Sequence, residues 1–343
     1  MGFFRLALRS LWFYRRTGLA SAAGTALAVG ALTGALLVGD SVKYSLKRRA
    51  LTRLGKVSLS LNAGGRFFGA GLADRVEQHL GGVPVVPVLK LDGMALKERP
   101  KGKAPLQINR VQILGVRADF GELSDGEPLV LAKGEAAVNA KLAGALDVVP
   151  GERISIRIAR PELMPGDAPL SSRSENLWIR RNFTVKKILP DNRLGSFSLG
   201  VDQRLPYNVF TGIADTGAVA GLEDRANVLL AGGGGSGPSP AQARRALKKS
   251  IHIFDAGLKF RSPESAGVLL LESERVFIEP PVSTAAMKAG QGHATGAFVY
   301  LVDSISAEGK EKSAPYSFVT ACSPSKTGPV PKGMRDDEII INR

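Results

Sequence analysis

The chain has a single cysteine, Cys322, among 343 residues. That excludes an intramolecular disulfide and any cysteine-built metal centre. Histidine is nearly as scarce: His79, His252 and His293 stand far apart, none with a second histidine at ligand spacing. Each reads as a solvated or core histidine rather than a ligand. Aromatic residues make up only 6% and are not interleaved with Lys/Arg in any stripe. A nucleic-acid surface is therefore not indicated, although the net charge is +15. Acidic residues are almost missing from the start. Residues 1–56 hold ten Lys/Arg against one Asp, Asp40, so +9 of the charge sits there and +6 is spread over the rest. Long apolar runs are absent too, with one exception.

The exception is Thr17–Gly39, TGLASAAGTALAVGALTGALLVG, twenty-three residues without a charge. As a helix it spans about 34 Å, enough for a hydrocarbon core of about 30 Å. Lipid leaves backbone groups no partners but one another, so the segment is expected to be helical throughout. Before it, residues 1–16 place Phe4, Leu8 and Leu11 on one helical face and Arg5, Arg9 and Arg16 on another. That pattern, with Arg15 and the aromatic run Trp12–Tyr14, suits a juxtamembrane helix at headgroup level.

Two export readings compete. A cleaved signal peptide wants a shorter apolar core and a small-residue exit, and the end ALLVGDS fits that poorly. Arg15-Arg16 before an apolar run resembles a twin-arginine signal, but TGLAS follows it only loosely. A retained membrane helix is carried forward. Gly30 and Gly34 form a GxxxG on it; such a pair lets a second helix approach closely, and small residues are also common in membrane helices generally. Charge leaves orientation open, because Lys43, Lys47, Arg48, Arg49, Arg53 and Lys56 balance the basic residues of the amino-terminal side.

Residues 40–343 alternate short strands and helices without a regular βαβ repeat, which indicates an α+β domain. Residues 41–55 extend the membrane helix, 57–61 alternate as a strand, and 70–80 form a short helix ended by Gly81-Gly82. A hairpin is expected from VPVVPVLKLDGMALKE and LQINRVQILGV. EPLVLA reads as a strand, GEAAVNAKLAGAL as a helix and PGERISIRI as a strand. LWIRRNFTVKKIL is one long strand or a pair, and YNVF and ANVLLA are strands around a helix, TGIADTGAV. The basic stretch AQARRALKKSIHIFDAGLKF reads as one helix, and 281–290 as another. VLLLE, RVFIE, GAFVYLVDSIS, YSFVTACS and the terminal EIIIN read as strands. A Pro- and Ser-rich boundary at 161–176 divides the domain into two subdomains, and 232–240 is a flexible loop.

No catalytic set emerges. Gly232-x-Gly234-x-x-Gly237 matches a dinucleotide fingerprint, but a run of four glycines before Ser-Pro-Ser-Pro reads as a linker. Pro238 stands where a phosphate loop needs lysine and where a nucleophile elbow needs its last glycine. Asp336, Asp337 and Glu338 read as a polar turn rather than a metal site. The expectation is a protein that is not an enzyme, with no cofactor and no metal.

One likeness is specific. The segment from LALRSL through Gly39-Asp40-Ser41-Val42 to Leu51-Thr52-Arg53-Leu54-Gly55 resembles the opening of FtsX/MacB-type ABC transporter permeases. Asn139, Leu142, Ala143, Leu146, Gly151 and Glu152 occupy an N-x-x-L-A-x-x-L-x-x-x-x-G-D/E element that recurs in that family's extracytoplasmic core domain. AlaAsnValLeuLeu at 226–230 and the segment 315–320 also look similar. The resemblance implies a cytoplasmic amino terminus, a MacB-like periplasmic core domain in residues 40–343, and a location in the bacterial plasma membrane. It also implies a separate ABC ATPase partner, contact with membrane lipids, and a homodimer or heterodimer of permeases. Members of the family carry further membrane helices, so the chain is expected to be an amino-terminal fragment, with DDEIIINR opening a second strand–helix element. The other reading is a single-span anchored extracytoplasmic binding or scaffold protein that uses Gly30 and Gly34 to dimerise.

Overall fold

The change from one apolar run to short mixed segments is reproduced in the computed structural model, where a long amino-terminal apolar helix precedes an α+β domain. The structure describes residues 2–100, 103–124, 127–159, 178–200, 204–233, 237–263, 267–275, 277–306, 313–322, 330, 334–335 and 338–340. They fall into two compact units, the first running to Ala256 and the second from Gly257 onward. The boundary expected at 161–176 lies outside the described residues, as do 234–236 of the expected flexible loop.

Helices α1 (Phe3–Phe13) and α2 (Arg15–Leu54) open the first unit. Beyond them, strand β1 (Val57–Asn62) is followed by the short β2 (Phe68–Gly69), helix α3 (Leu72–His79), β3 (Val85–Lys97) and β4 (Leu106–Val116). Then come β5 (Glu135–Asn139), α4 (Ala140–Leu146), β6 (Arg153–Ala159) and β7 (Trp178–Leu189). The unit finishes with β8 (Tyr207–Gly212), α5 (Ile213–Ala220), β9 (Arg225–Ala226), β10 (Val228–Gly232) and α6 (Pro240–Ser250).

Eight strands form one sheet in the order β1-β10-β3-β4-β8-β5-β7-β6, and β6 also returns to β3. Six strands therefore close a hydrogen-bonded circuit, while β10 and β1 extend from the first half of β3. Pairs β4–β8 and β5–β7 are parallel, and the other neighbours antiparallel. Gly93 sits at the closure, paired to Val111 on one side and Ile158 on the other. A Cβ there would stand 2.3 Å from the Arg157 carbonyl oxygen, so only glycine admits so close an approach of backbones.

Both faces of the central strands are buried, which explains their near-continuous apolar sequences. On β4, Val111 and Ile113 enter a core with α4 and α5, while Leu114 and Val116 enter a second core with Phe120, Phe197 and Phe210. A third core joins α3 and α6 to the far face of β10 through Leu72, Val76, Leu229 and Ala246.

The second unit, by itself, comprises β11 (Leu258–Arg261) paired with β12 (Leu270–Ser273), helix α7 (Pro280–Ala289), and a hairpin of β13 (Ala297–Ser306) and β14 (Ser313–Cys322).

Five expectations need correction. EPLVLA is not a strand: Leu129 and Leu131 pack against a core, but Leu129 N–H bonds the Ala118 carbonyl and no ladder forms. The strand is Glu135–Asn139, inside the expected helix, because Ala136, Ala137 and Val138 fill buried slots between β7 and β8. The helix starts only after Asn139. The basic helix also stops at Ser250, ten residues early. Ile251 is extended there, and the Asp255 carboxylate takes the His252 N–H at 2.8 Å, a local turn that competes with helix. Residues 275 and 277–279 of RVFIE are not strand and lead into α7, and Glu338–Ile340 of EIIIN pair with no strand.

Candidate membrane and coupling site

The amino-terminal helices carry apolar surface that the protein itself leaves bare. On α1, Phe3, Phe4, Leu8, Leu11 and Trp12 are all exposed. No residue of α1 or of the apolar stretch of α2 is buried. α2 is continuous for 40 residues, a length of about 60 Å, and it is the one described helix long and apolar enough to cross a membrane. Helices with no apolar core of their own to cover them fit a lipid solvent.

The expected packing residues Gly30 and Gly34 lie on one side of α2, with no atom within 4 Å of either Cβ position. Of the juxtamembrane basic residues, Arg5 and Arg9 sit on α1, while Arg15 and Arg16 begin α2. The Arg15 guanidinium lies 5.7 Å from the centre of the Trp12 ring, which ties the helix junction together.

Past the apolar stretch, about 22 Å of α2 carries the basic face on toward the domain. Ser45, Arg48, Arg49, Thr52 and Arg53 form one wall of an open cleft of about 610 Å³, with Asp191, Ser196 and Leu205 opposite. The helix then locks into the sheet. Leu54 packs on the core that contains Leu114, Phe120 and Phe210. Gly55 ends the helix at φ +58°, and a Cβ on it would lie 2.5 Å from the Leu123 carbonyl oxygen. That same oxygen accepts the Lys56 N–H at 2.7 Å, and Val57 then starts β1 opposite Gly232. The apolar helix and the sheet are thus joined through Gly55 and Lys56 alone, both held by the Leu123 carbonyl side of the joint.

The residues of the N-x-x-L-A element converge too, but on packing rather than on a ligand. The Asn139 side chain caps α4 at Leu142 N–H (3.1 Å), accepts the Asn208 N–H (3.1 Å) and donates to the Pro206 carbonyl (2.9 Å). Leu142, Ala143 and Leu146 are buried in the core beneath α4. Gly151 N–H bonds the Val185 carbonyl at 2.7 Å. Glu152 pairs with Lys97 at 2.7 Å, and Lys97 also bonds the Asp147 carbonyl. The element is a clamp that fixes β5, α4 and β6 on the closed circuit. Asn208, which the sequence did not single out, completes it by donating to the Gly195 and Phe197 carbonyls. Its signal would have been a lone amide in an otherwise apolar strand.

Two carboxylates here are held below the ordinary carboxylate range. Glu152 is lowered by the hydrogen bond from Lys97 and then by the Val149 N–H; Glu135 is lowered by Lys186 and then by the Ala132 N–H. A folded value below the unfolded one means that the native state binds the proton more weakly. The stability each contributes is present above the unfolded value and is lost as pH falls through the folded one. In acid titration of the melting temperature, Glu135→Gln combined with Glu152→Gln is expected to narrow the gap between neutral and acidic pH. An unchanged gap would remove these pairs from the acid response.

Among the described residues, no group of three or more His, Cys, Asp or Glu could hold a metal. His79 contacts the Arg75 carbonyl and the Ser250 hydroxyl, His252 is exposed, and so is His293 in the second unit. Asp336 and Asp337 lie outside the described residues, and Glu338 pairs with Arg335.

No protein-family profile and no curated protein sequence matches the chain. Among solved structures, the periplasmic region of MacB from Actinobacillus actinomycetemcomitans aligns over 68% of this chain and 94% of that one, at 8% identity and a TM-score of 0.37. The extracellular domain of the noncanonic ABC-type transporter YknZ from Gram-positive bacteria aligns over 55% of this chain and 88% of that one, at 10% identity and a TM-score of 0.32. At this degree of similarity neither structure assigns a role to any residue here.

Proposed function

We propose that this chain is the permease-type subunit of an ABC transporter of the FtsX/MacB kind, anchored in a bacterial plasma membrane with its α+β domain outside the cytoplasm. The observation that carries the reading is the continuity of α2, from a bare apolar segment to the Gly55 lock on β1. Such a rod transmits movement of its membrane end to the domain. The sequence elements at Gly39–Val42, Leu51–Gly55 and Asn139–Glu152 support the same assignment by resemblance. In this reading α1 rides on the cytoplasmic headgroups through Arg5, Arg9, Arg15 and Arg16, and a separate ATPase supplies the energy. The output is export, lipoprotein release or a mechanical signal.

The test uses the full chain. A membrane-impermeant maleimide is expected to label Cys322 from outside intact cells, and the purified chain is expected to hydrolyse no ATP by itself. A P-loop ATPase encoded beside its gene is expected to co-purify with it. ATP hydrolysis by the chain alone, or Cys322 reactive only after lysis, would overturn the reading. The single-span scaffold reading is favoured by the open face at Gly30 and Gly34. It requires a membrane crosslink between copies that Gly30→Leu and Gly34→Leu abolish, with no ATPase bound.

A further inference from the structure

Helix α6 carries Arg244, Arg245, Lys248 and Lys249 on its exposed face and has no acidic residue. Among the described residues, none of the four has an ion-pair partner. The acids of the neighbouring helix α3 are already engaged: Asp74 pairs with Arg117 at 2.8 Å, and Glu77 accepts the Val85 N–H at 3.1 Å. Four cations side by side repel one another and favour an anion from outside.

The end of this stripe is rigid and apolar. Ile251, Ile253 and Phe254 follow α6 and are exposed, Phe254 at 63%. The turn that presents them is pinned from behind. Buried Asp255 pairs with Arg75 at 2.5 Å and accepts the His252 N–H, Arg75 also holds the Ser250 carbonyl at 2.9 Å, and Arg225 reaches the Phe254 carbonyl. The amino end of α6 is fixed by a capping box between Ser239 and Gln242. An aromatic side chain on a pre-ordered turn beside arginines has the make-up of an interface anchor, because little entropy is lost on docking.

The sheet register decides between an acidic protein and the anchoring bilayer. β1 leaves α2 at Val57, opposite Gly232, so that end of β10 lies beside the top of α2. Phe254 is held by Arg225 of β9, which precedes Val228 at the opposite end of β10. α6 itself starts just after Gly237, whose Cβ position lies against Ser58 of β1, and roughly 22 Å of α2 separates that end of β1 from the apolar stretch. That is more than twice the ~8 Å over which surface charge acts at physiological salt.

We infer that the basic face of α6, with Phe254 at its end, docks an acidic protein segment bearing an apolar side chain on the extracytoplasmic side. The test measures binding of the full chain, in detergent micelles, to an oligo-glutamate peptide with and without a central phenylalanine. Changing Arg244, Arg245, Lys248 and Lys249 together to Gln is expected to weaken both peptides about 30-fold, from a few-fold per exposed charge. Phe254→Ser is expected to weaken only the phenylalanine peptide. A matched control, Arg99, Lys103, Arg110 and Lys133 to Gln, removes the same charge from exposed sites elsewhere and is expected to change binding less than about two-fold. Equal losses in the control would reduce the effect to net charge and overturn the inference. So would α6-dependent binding to phosphatidylcholine–phosphatidylglycerol vesicles that exceeds binding to the peptides. Circular dichroism confirms folding, which exposed Gln in a helix leaves intact.

Discussion

Gly55→Ala is expected to be among the most damaging single-methyl additions in the chain. The residue sits at φ +58° and ψ −127°, a region that L side chains avoid, and its new Cβ would press on the Leu123 carbonyl at 2.5 Å. Relief requires either rotating the end of α2 or moving Leu123, and moving Leu123 breaks its bond to the Lys56 N–H. Conformational strain of about 1–2 kcal/mol plus a lost backbone bond of about 1 kcal/mol gives roughly 2–3 kcal/mol. Thermal unfolding of the full chain in detergent measures this. Gly39→Ala supplies the contrast, since nothing lies within 4 Å of its Cβ position and its φ is ordinary. It is expected to leave the midpoint in place. Equal midpoints for the two variants would mean that the lock at Gly55 carries no stability. If the reading as a permease holds, Gly55→Ala also lowers ATPase-coupled activity more than it lowers protein abundance.

The second large effect is expected at Asn139. Its side chain is fully buried and serves three backbone groups, the N–H of Leu142, the N–H of Asn208 and the carbonyl of Pro206. Asn139→Leu leaves all three without a partner in an apolar core, at about 1–3 kcal/mol per group before relaxation. A loss of about 3–5 kcal/mol is expected, enough to unfold a marginal domain. Asn139→Asp separates the roles: the acceptor oxygen survives, but the donor to Pro206 is lost and a charge is buried. It is expected to fall between wild type and Asn139→Leu at acidic pH and to approach Asn139→Leu at neutral pH. Denaturant titration at the two pH values measures the order. A wild-type midpoint for Asn139→Leu would show that the clamp around β5 is dispensable.

Much of the fold can be read from the sequence because its signals are local. The apolar stretch, the β3–β4 hairpin and helices α3 and α7 follow from runs, periods and breakers within a few residues of each other. The errors have the opposite cause. EAAVN has helical composition, yet Ala136, Ala137 and Val138 are fully buried in a strand paired between β7 and β8, so tertiary packing overrides propensity. α6 ends early because Asp255, five residues past its last turn, takes up a backbone N–H and is held by Arg75 from another helix. EPLVLA has strand composition, but its Leu129 N–H is taken by the Ala118 carbonyl rather than by a ladder. The Asn139–Glu152 element was legible as a pattern, while its role as a clamp was not. That role depends on Asn208 and Lys97, which are distant in sequence. Closure of the six-strand circuit at Gly93 leaves no trace beyond a single glycine in a strand.

The attachment of α2 to an edge strand makes the response to load depend on direction. β1 runs antiparallel to β10 and is fixed to α2 at its Val57 end. A pull along the strand axis shears every hydrogen bond from Val57 to Asn62 at once. A sideways tilt instead opens the ladder one rung at a time, starting where Val57 faces Gly232 and Lys56 meets Leu123. Since each bond contributes only about 1 kcal/mol, resistance in shear greatly exceeds resistance to peeling. The joint is therefore stiff to load along β1 and compliant to load across it, a mechanical filter set by which end of one strand carries the helix.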